Sequence, residues 1–454
     1  MTTFRLIQGI DVIGHYLDLA LRSCRRNKAL TALVIVLMGC GVASCMVTYA
    51  VFRATSADPI PWKSAQLFVP QIDNFGPVHD WKGQPPMLLS YIDAETILHA
   101  AQARRQALVY PIHGTVTPDD LHRLPFMQEG DAVSGAFFAM FDVPFRFGGG
   151  WSSADDDHRA AVVVISMALN QKLFGGSNSV GRQIHLDRHD YRVVGVLDDW
   201  SPQPRFFDVS SAGFPFSHPR QFYLPFSRAI DLQKATSGEL YCSADTSNPD
   251  LPDWDAVLHS ECAWIGAWVE LPTRAAAGQY LRYLHNYAAE QQRIGRFDWP
   301  PNVRLSNVRQ WLGLYLNHVV PQASKLSLIV SCSFLLICLV NVVGLMLARF
   351  MRRAPEIGVR RALGASRAAI RGQFLIEAAV VGLAGGALGL LLTALGMAGV
   401  RLVFEPQIAR LAQLDGSLVL LTFVLALATT LVAAIYPTWR AAQVQPAWQL
   451  KSGG

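Results

Sequence analysis

Leu326–Ala348 reads LSLIVSCSFLLICLVNVVGLMLA, an apolar run without a charge or a proline, bracketed by Lys325 and Arg349. An uncharged apolar stretch of about 18 residues or more reads as a transmembrane helix, because about 20 residues of helix cross the roughly 30 Å hydrocarbon layer. Three further runs share the pattern. Ala29–Phe52 is ALTALVIVLMGCGVASCMVTYAVF, Phe374–Val400 holds one carboxylate, Glu377, near its start, and Ser417–Tyr436 closes the set. The expected architecture is a polytopic α-helical membrane protein with four transmembrane helices and a large mixed α+β extracytoplasmic domain between the first and second.

The whole-chain figures agree once divided among these runs. The 454 residues are 51% hydrophobic and 16% charged, with mean hydropathy +0.24, against about 25% charged in an ordinary soluble domain. Disordered, collagen-like and coiled-coil chains are excluded. A net charge of +5 and a pI near 8.8 come without a dense basic patch, so nucleic acid is not an expected partner.

Arginine and lysine placement orients the spans. Arg22, Arg25, Arg26 and Lys28 precede the first run. Between the second and third, Arg349, Arg352, Arg353, Arg360, Arg361, Arg367 and Arg371 stand against one acid, Glu356, and Arg440 and Lys451 follow the fourth. These three segments alternate, so both termini and the basic loop are expected in the cytoplasm. The organisation is then an amphipathic N-terminal segment 1–28, spans 29–52, 325–348, 374–400 and 417–436, an outside domain with stalk 53–324, a cytoplasmic loop 349–373, a short outer loop 401–416 and a cytoplasmic tail 437–454. Val42-Ala43-Ser44-Cys45 resembles a lipoprotein cleavage box, but the apolar run continues through Met46, Val47 and Tyr49, whereas a cleavable signal has a shorter core and a polar mature start.

The segment 53–324 is long enough for its own core. Tyr91–Gln106 has helical periodicity. Ala161–Ile165 is a β-branched strand, followed by a helix from Ser166 to Phe174 stopped at Gly175-Gly176. Gln183–Leu186 and Tyr191–Leu197 flank a polar turn and signal a hairpin. Pro272–Ile294 reads as a helix, 198–225 as irregular, and 303–325 as a helical stalk interrupted at Pro321. Cys24, Cys40, Cys45, Cys332 and Cys338 fall at or within membrane segments. In the outside domain, Cys242 and Cys262 are a disulfide of an oxidising compartment or two buried thiols.

Catalytic motifs are missing from the sequence. It contains no G-x-x-x-x-G-K-[ST] phosphate loop, H-E-x-x-H, G-x-S-x-G or C-x-x-C. Asp155-Asp156-Asp157-His158 reads as a solvated turn, and His185, Asp187 and His189 as an exposed hairpin tip, rather than as metal sites. Glu377 reads as a snorkelling carboxylate near Arg367 and Arg371, with a transport role as the alternative. Gly382, Gly385, Gly386 and Gly389 form two overlapping G-x-x-x-G patterns, for packing within one subunit or between two. Near mid-span, only Asn341, Thr429 and Thr430 offer polarity.

Glu356-Ile357-Gly358-Val359-Arg360-Arg361-Ala362-Leu363-Gly364-Ala365-Ser366, followed by Phe374-Leu375-Ile376-Glu377, resembles the signature of FtsX/MacB-type ABC transporter permeases. Leu21–Lys28 resembles their short helix along the membrane. Gly135-Ala136-Phe137-Phe138, Phe141–Phe145, AVVVIS at 161–166 and LFGGSNSVGRQIHLDRHDYRVVGVL at 173–197 resemble the MacB-like periplasmic core domain. Tyr436–Ala442 with Pro446 and Leu450 resembles the C-terminal tail, departing at Trp439 and Gln449. The likeness runs from about residue 20 to 450 and is weakest between roughly 200 and 300.

The resemblance implies a bacterial inner-membrane permease, non-catalytic in itself, working as a homo- or heterodimer with a second permease subunit. A separate ABC ATPase subunit would carry ATP and magnesium, and a periplasmic adaptor and membrane lipid would be further partners. No cofactor is expected in this chain. The coupling helix for the ATPase would hold Glu356, Ile357, Gly358, Val359, Arg360, Arg361, Leu363 and Gly364. Pro355 suits a first helical turn and Glu356 its positive end. Ile357, Val359 and Leu363 would give an apolar face, with Arg360 and Arg361 as donors to the ATPase or as topology determinants alone. Motion of the spans would pass to the outside domain, as mechanotransmission. The activity is then export of peptides, drugs or lipid-like molecules, or regulation of a periplasmic partner such as a cell-wall hydrolase without cargo. A membrane-anchored enzyme has no catalytic constellation to support it.

Overall fold

The structure, a computed structural model, describes residues 19–20, 22–23, 26–56, 58–78, 83–120, 122–208, 216, 218–242, 253–319, 322–403 and 414–442. The N-terminal segment before residue 19, most of the outer loop, the tail beyond 442, Cys24 and Pro321 lie outside them. The chain divides into two units, Met1–Thr55 with Val320–Gly454, and Ser56–Val319. The first described long helix is α1, Lys28–Ser56.

The inserted unit then runs in chain order through β1 (Leu67–Ile72), α2 (Tyr91–Ala100), β2 (Arg105–Thr117), β3 (Phe126–Val133), α3 (Phe137–Met140), β4 (Phe145–Gly148), α4 (Ser153–Asp157) and β5 (Val162–Ile165). It continues with α5 (Met167–Phe174), β6 (Gln183–Leu186), β7 (His189–Leu197), β8 (Phe222–Pro225), α6 (Phe226–Asp231), α7 (Trp254–His259), β9 (Gly266–Glu270), α8 (Arg274–Arg293), β10 (Val303–Asn307) and α9 (Val308–Val319). The strands form one mixed sheet, β10-β1-β9-β2-β3-β8-β5-β7-β4, with β6 pairing β2 and β7. β3–β8 and β5–β7 are parallel, and the remaining pairs are antiparallel.

Local chemistry accounts for several boundaries. Ser166 caps α5 by accepting from Leu169 N at 3.0 Å, and Gly175 ends it at φ 67°, the left-handed conformation that glycine adopts without strain. Asp187 and Arg188, at φ 49° and 66°, make the two-residue turn between β6 and β7 whose twist suits a hairpin. Three expectations are corrected. The helix predicted over 91–106 stops at Ala101, which turns left-handed at φ 49°, and Arg105 and Gln106 pair instead with Glu270 and Val269. The stretch 198–225 contains strand β8, buried throughout. The stalk predicted over 303–325 begins as strand β10.

The core is apolar and rich in rings. Phe137, Phe141, Phe206, Phe207 and Trp268 pack with centroids 4.9–5.8 Å apart, mostly edge to face, the geometry favoured by ring quadrupoles. Cys242 and Cys262 are joined by a disulfide, next to the bridge between Tyr241 and Ala263.

Charges are also buried in this unit. Arg220 reaches Asp208 at 2.6 Å, Glu129 at 2.8 Å and Asp131 at 2.9 Å. Arg205 supports Asp208 at 3.2 Å. Arg220 Nε approaches Asp131 without hydrogen-bond alignment, so charge alone holds that carboxylate, and burial outweighs it: the Asp131 carboxyl is pushed up to about 7. A folded-state carboxyl raised above its unfolded value binds its proton more tightly when folded, so stability is present at low pH and lost as pH rises from about 4 to about 7. The expected result is a melting temperature of this unit that falls between pH 5 and pH 8, through a contribution of at most about 4 kcal/mol. Asp131→Asn is expected to flatten the decline, and an unchanged slope in that variant would overturn the assignment.

The second unit is completed by α10 (Gln322–Met351), α11 (Ala354–Ala362), α12 (Arg367–Val403) and α13 (Gly416–Ala442). Among the described residues, four helices are long and apolar enough to cross a membrane, within Lys28–Ala54, Lys325–Met351, Arg367–Val400 and Gly416–Arg440. The third begins at Arg367 rather than Phe374, since Ser366 accepts from Ala369 N at 3.1 Å and starts the helix there. The α12 glycines pack within the chain. A Cβ at Gly382 or Gly386 would meet Thr430 or Phe423 of α13 at 3.0 Å, and one at Gly385 or Gly389 would meet Met38 or the Gly39 carbonyl of α1 at 3.2 and 3.4 Å. Small residues here let three helices approach closely.

Candidate functional site

Between α10 and α12 the basic loop folds into α11 and its two short connections. Pro355 stands in the first turn with Glu356, and Arg360 and Arg361 in the last, each charge opposing the helix-dipole end it occupies. Glu356 and Arg360 pair at 2.8 Å across one turn. Beyond Leu363, Gly364 lies at φ +96°, a conformation that ends the helix and suits glycine alone.

The helix has two unlike faces. Ala354, Ile357 and Gly358 are buried. Val359 and Leu363, one turn apart, are 56% and 83% exposed. The expected apolar face of Ile357, Val359 and Leu363 is therefore split: residues 357 and 359 lie about 200° apart at 3.6 residues per turn, so they cannot point the same way. Arg360 is tied inward, donating to Gln373 Oε1 at 3.0 Å as well as pairing with Glu356.

A buried ion cluster stands behind α11. The Glu377 carboxylate on α12 pairs with Arg349 of α10 and, at 3.0 Å, with Arg353, the residue that begins α11. Ser23 donates to Glu377 at 2.5 Å and accepts from Arg349 at 3.0 Å and Arg353 at 2.9 Å, which fills the hydroxyl's one donor and two acceptor positions. Arg353 also pairs with Glu356 at 3.4 Å and lies over the Phe374 ring at 5.6 Å. Phe350 packs on Phe374 at 4.3 Å. Glu377 is 1% exposed, so it is not the snorkelling partner of Arg367 and Arg371. Those positions precede it by ten and six residues and point elsewhere on the helix. The cluster fastens the N-terminal segment, α10, α11 and α12 at one point.

Other singled-out residues have structural partners. Asp156 is not in a solvated turn. It is buried, accepts from Gly135 N at 2.9 Å and Ser227 Oγ at 2.9 Å, and its carboxyl is raised by burial. His185 pairs with Asp119 and Asp190, and Asp187 with Lys234.

Two family models match, in sequence order. The MacB-like periplasmic core domain covers residues 29–251 and the FtsX-like permease C-terminal region residues 328–446. The pyoverdine export ATP-binding/permease protein PvdT of Pseudomonas aeruginosa is 26% identical over 431 residues, 94% of this chain and 57% of the relative. The macrolide export ATP-binding/permease protein MacB of Bdellovibrio bacteriovorus is 25% identical over 300 residues, 66% of this chain and 40% of the relative. The chain thus spans little more than half the length of the curated relatives it matches. Among solved structures, the periplasmic region of MacB from Actinobacillus actinomycetemcomitans superposes with TM-score 0.35 at 12% identity, covering 57% of this chain and 96% of that one. The two family models together take in about three quarters of the residues, one on the inserted domain and one on the spans and basic loop, and the chain belongs to the MacB/FtsX-type ABC transporter permeases.

Proposed function

We propose that this chain is the membrane subunit of an exporter and that α11 is where an ABC ATPase on a partner chain docks, with ATP and magnesium held there. The carrying observation is the pair Val359 and Leu363, exposed one turn apart on a helix fastened from behind by the Glu377 cluster. Isolated exposed apolar residues are common. This pair sits on a short helix whose N-cap, Arg353, is paired with Glu377 of α12, the carboxylate that Arg349 of α10 also holds, so a push on it is carried into α12 and α10. The orientation that places α11 in the cytoplasm, both termini inside and the inserted domain in the periplasm of an inner membrane, rests on the arginine distribution. A second permease subunit completes the complex.

Cargo is proposed to be handled by the inserted domain. Within the spans, the Thr393, Thr422 and Thr430 hydroxyls each donate to the carbonyl four residues earlier, so they are occupied inside their own helices. Export of peptides, drugs or lipid-like molecules is favoured by the export-named relatives. These hydroxyl contacts also suit the second reading, transmission of motion to a periplasmic partner without cargo. ATPase stimulation by candidate cargo in the purified complex separates the two.

The docking test replaces Val359 and Leu363 with aspartate in the full chain. Each apolar side chain buried at an interface contributes about 1.5–3 kcal/mol, so co-purified ATPase is expected to fall at least roughly tenfold, with an unchanged melting temperature because neither residue is packed. Undiminished co-purification would overturn the docking role.

A further inference from the structure

Two thiols face each other between α1 and α10. Ser44 and Cys45 of α1 stand against Ser331 and Cys332 of α10, with Ser44 Oγ donating to Ser331 Oγ at 3.2 Å and the Cys45 and Cys332 sulfurs 3.7 Å apart. A hydrogen bond between two serine side chains, each a single carbon long, requires that the helix backbones lie close together. One turn along α1 from Cys45, a Cβ at Gly41 would meet Cys338 Cβ at 3.2 Å, so the close approach continues. Cys45 is buried and Cys332 is exposed. They stand nine residues before Ala54 and seven after Lys325, about 14 Å and 11 Å along their helices from the span ends that adjoin the inserted unit. Both sulfurs therefore lie within the hydrocarbon layer.

We propose that Cys45 and Cys332 are a modification site, oxidised by a lipid-soluble quinone to a disulfide that fastens α1 to α10. A disulfide sets its sulfurs about 2.05 Å apart, and from 3.7 Å the remaining approach needs side-chain rotation on helices that already touch. Redox-sensing cysteines are accessible and stand next to a resolving partner. Exposed Cys332 is the thiol an oxidant meets, and Cys45 behind it is the one that closes the bond. Hydrocarbon excludes charged and strongly polar reagents, which selects an apolar oxidant and a reaction that leaves no charge behind. Two S–H bonds break and one S–S bond forms. The two electrons and two protons pass to the quinone, whose two carbonyl oxygens become the hydroxyls of a quinol, so every species is neutral before and after. α1 leads into the segment Ser56–Val319 and α10 leads out of it. A bond between them holds the two connections against sliding or turning past each other. The consequence rests on the reading that a push on α11 travels through α10: the oxidised chain is locked, and its activity follows the redox state of the membrane's quinones.

The test uses the full chain in membranes prepared without air, in a background with Cys24, Cys40 and Cys338 replaced by alanine. The oxidant is decylubiquinone, whose fully substituted ring cannot trap a thiol by addition. The chain is then denatured without reduction and treated with a polyethylene glycol maleimide, which adds mass at each free thiol. Cys242 and Cys262 are bonded to each other, so two adducts are expected before the quinone and none after it. Cys45→Ala and Cys332→Ala are each expected to keep their one adduct throughout. Two adducts surviving the quinone, loss of the adduct from either single variant, or a covalent dimer in place of the intrachain bond would each overturn the proposal. The lock is read as ATP hydrolysis by the complex co-purified with its ATPase. The quinone is expected to suppress hydrolysis in the background chain and to leave it unchanged in Cys45→Ala. Unchanged hydrolysis in the oxidised background chain would overturn the lock. ATPase co-purification reports the docking reading separately, since a chain that loses both adducts but brings down no ATPase keeps the modification site and removes the docking role alone.

Discussion

Glu377→Leu is expected to destabilise the membrane unit by about 3–5 kcal/mol, the cost of removing one partner from a buried ion group. The substitution is apolar and suits a spanning helix, so the cost comes from what remains. Arg349, 3% exposed, loses the Glu377 carboxylate, and Arg353 is left with the more distant carboxylate of Glu356 at 3.4 Å. The Ser23 hydroxyl loses its acceptor but keeps two guanidinium donors. Two cations then face each other in a site screened from water. The measurement is thermal melting of the full chain in detergent, with protease or thiol accessibility of the segment 354–363 as a second readout, since α11 loses the tie at its first residue. A buried ion group can often be replaced as a whole by apolar side chains at little cost. Glu377→Leu combined with Arg349→Met is therefore expected to regain a substantial part of the loss. A single variant that melts like the parent, or a double variant worse than the single by the full cost of a second lesion, would show that the cluster is not coupled in this way.

That cluster also marks where sequence reading ends. The spans are legible because the bilayer imposes length and apolarity on every residue of a run, whatever packs beside it. The hairpin at 183–197 and the α5 helix are legible because their turn and cap residues sit next to what they terminate. Glu377 was recognisable as a polar group out of place, but its partners were not. Ser23 lies 354 positions away, and Arg349 and Arg353 are two of seven arginines in one loop. The α12 glycines announce close packing without a direction, since helices of one chain and of two chains require the same small residues. The same limit hid β8. Its four residues lie in a proline-rich stretch and are buried on both faces, so no alternation shows. On α11 the apolar positions do not share one face as expected, because residues two apart on a helix point to opposite sides.

Arg220→Met is expected to be the most damaging single change in the inserted domain, again by about 3–5 kcal/mol, in a fold whose whole stability is typically 5–15 kcal/mol. Arg220 contacts carboxylates on two segments, Glu129 and Asp131 on β3 and Asp208 before β8. Asp131 and Asp208 are 0% and 1% exposed. Without Arg220 both remain buried, and Arg205 still reaches Asp208 at 3.2 Å. Protonation is the route to neutrality for Asp131, and this gives the expectation its distinguishing sign. Asp131 already binds its proton more tightly in the folded state, and loss of the neighbouring cation raises that preference further. Folding then takes up protons, and stability falls as pH rises above the unfolded carboxyl value near 4. The damage is therefore expected to be smaller at pH 5 than at pH 8, opposite to a lesion that merely leaves a cavity, whose cost does not depend on pH. Melting curves of parent and variant at the two pH values decide it. An equal decrement at both would mean that Arg220 acts by packing its stem, and that the buried carboxylates are neutralised by other means.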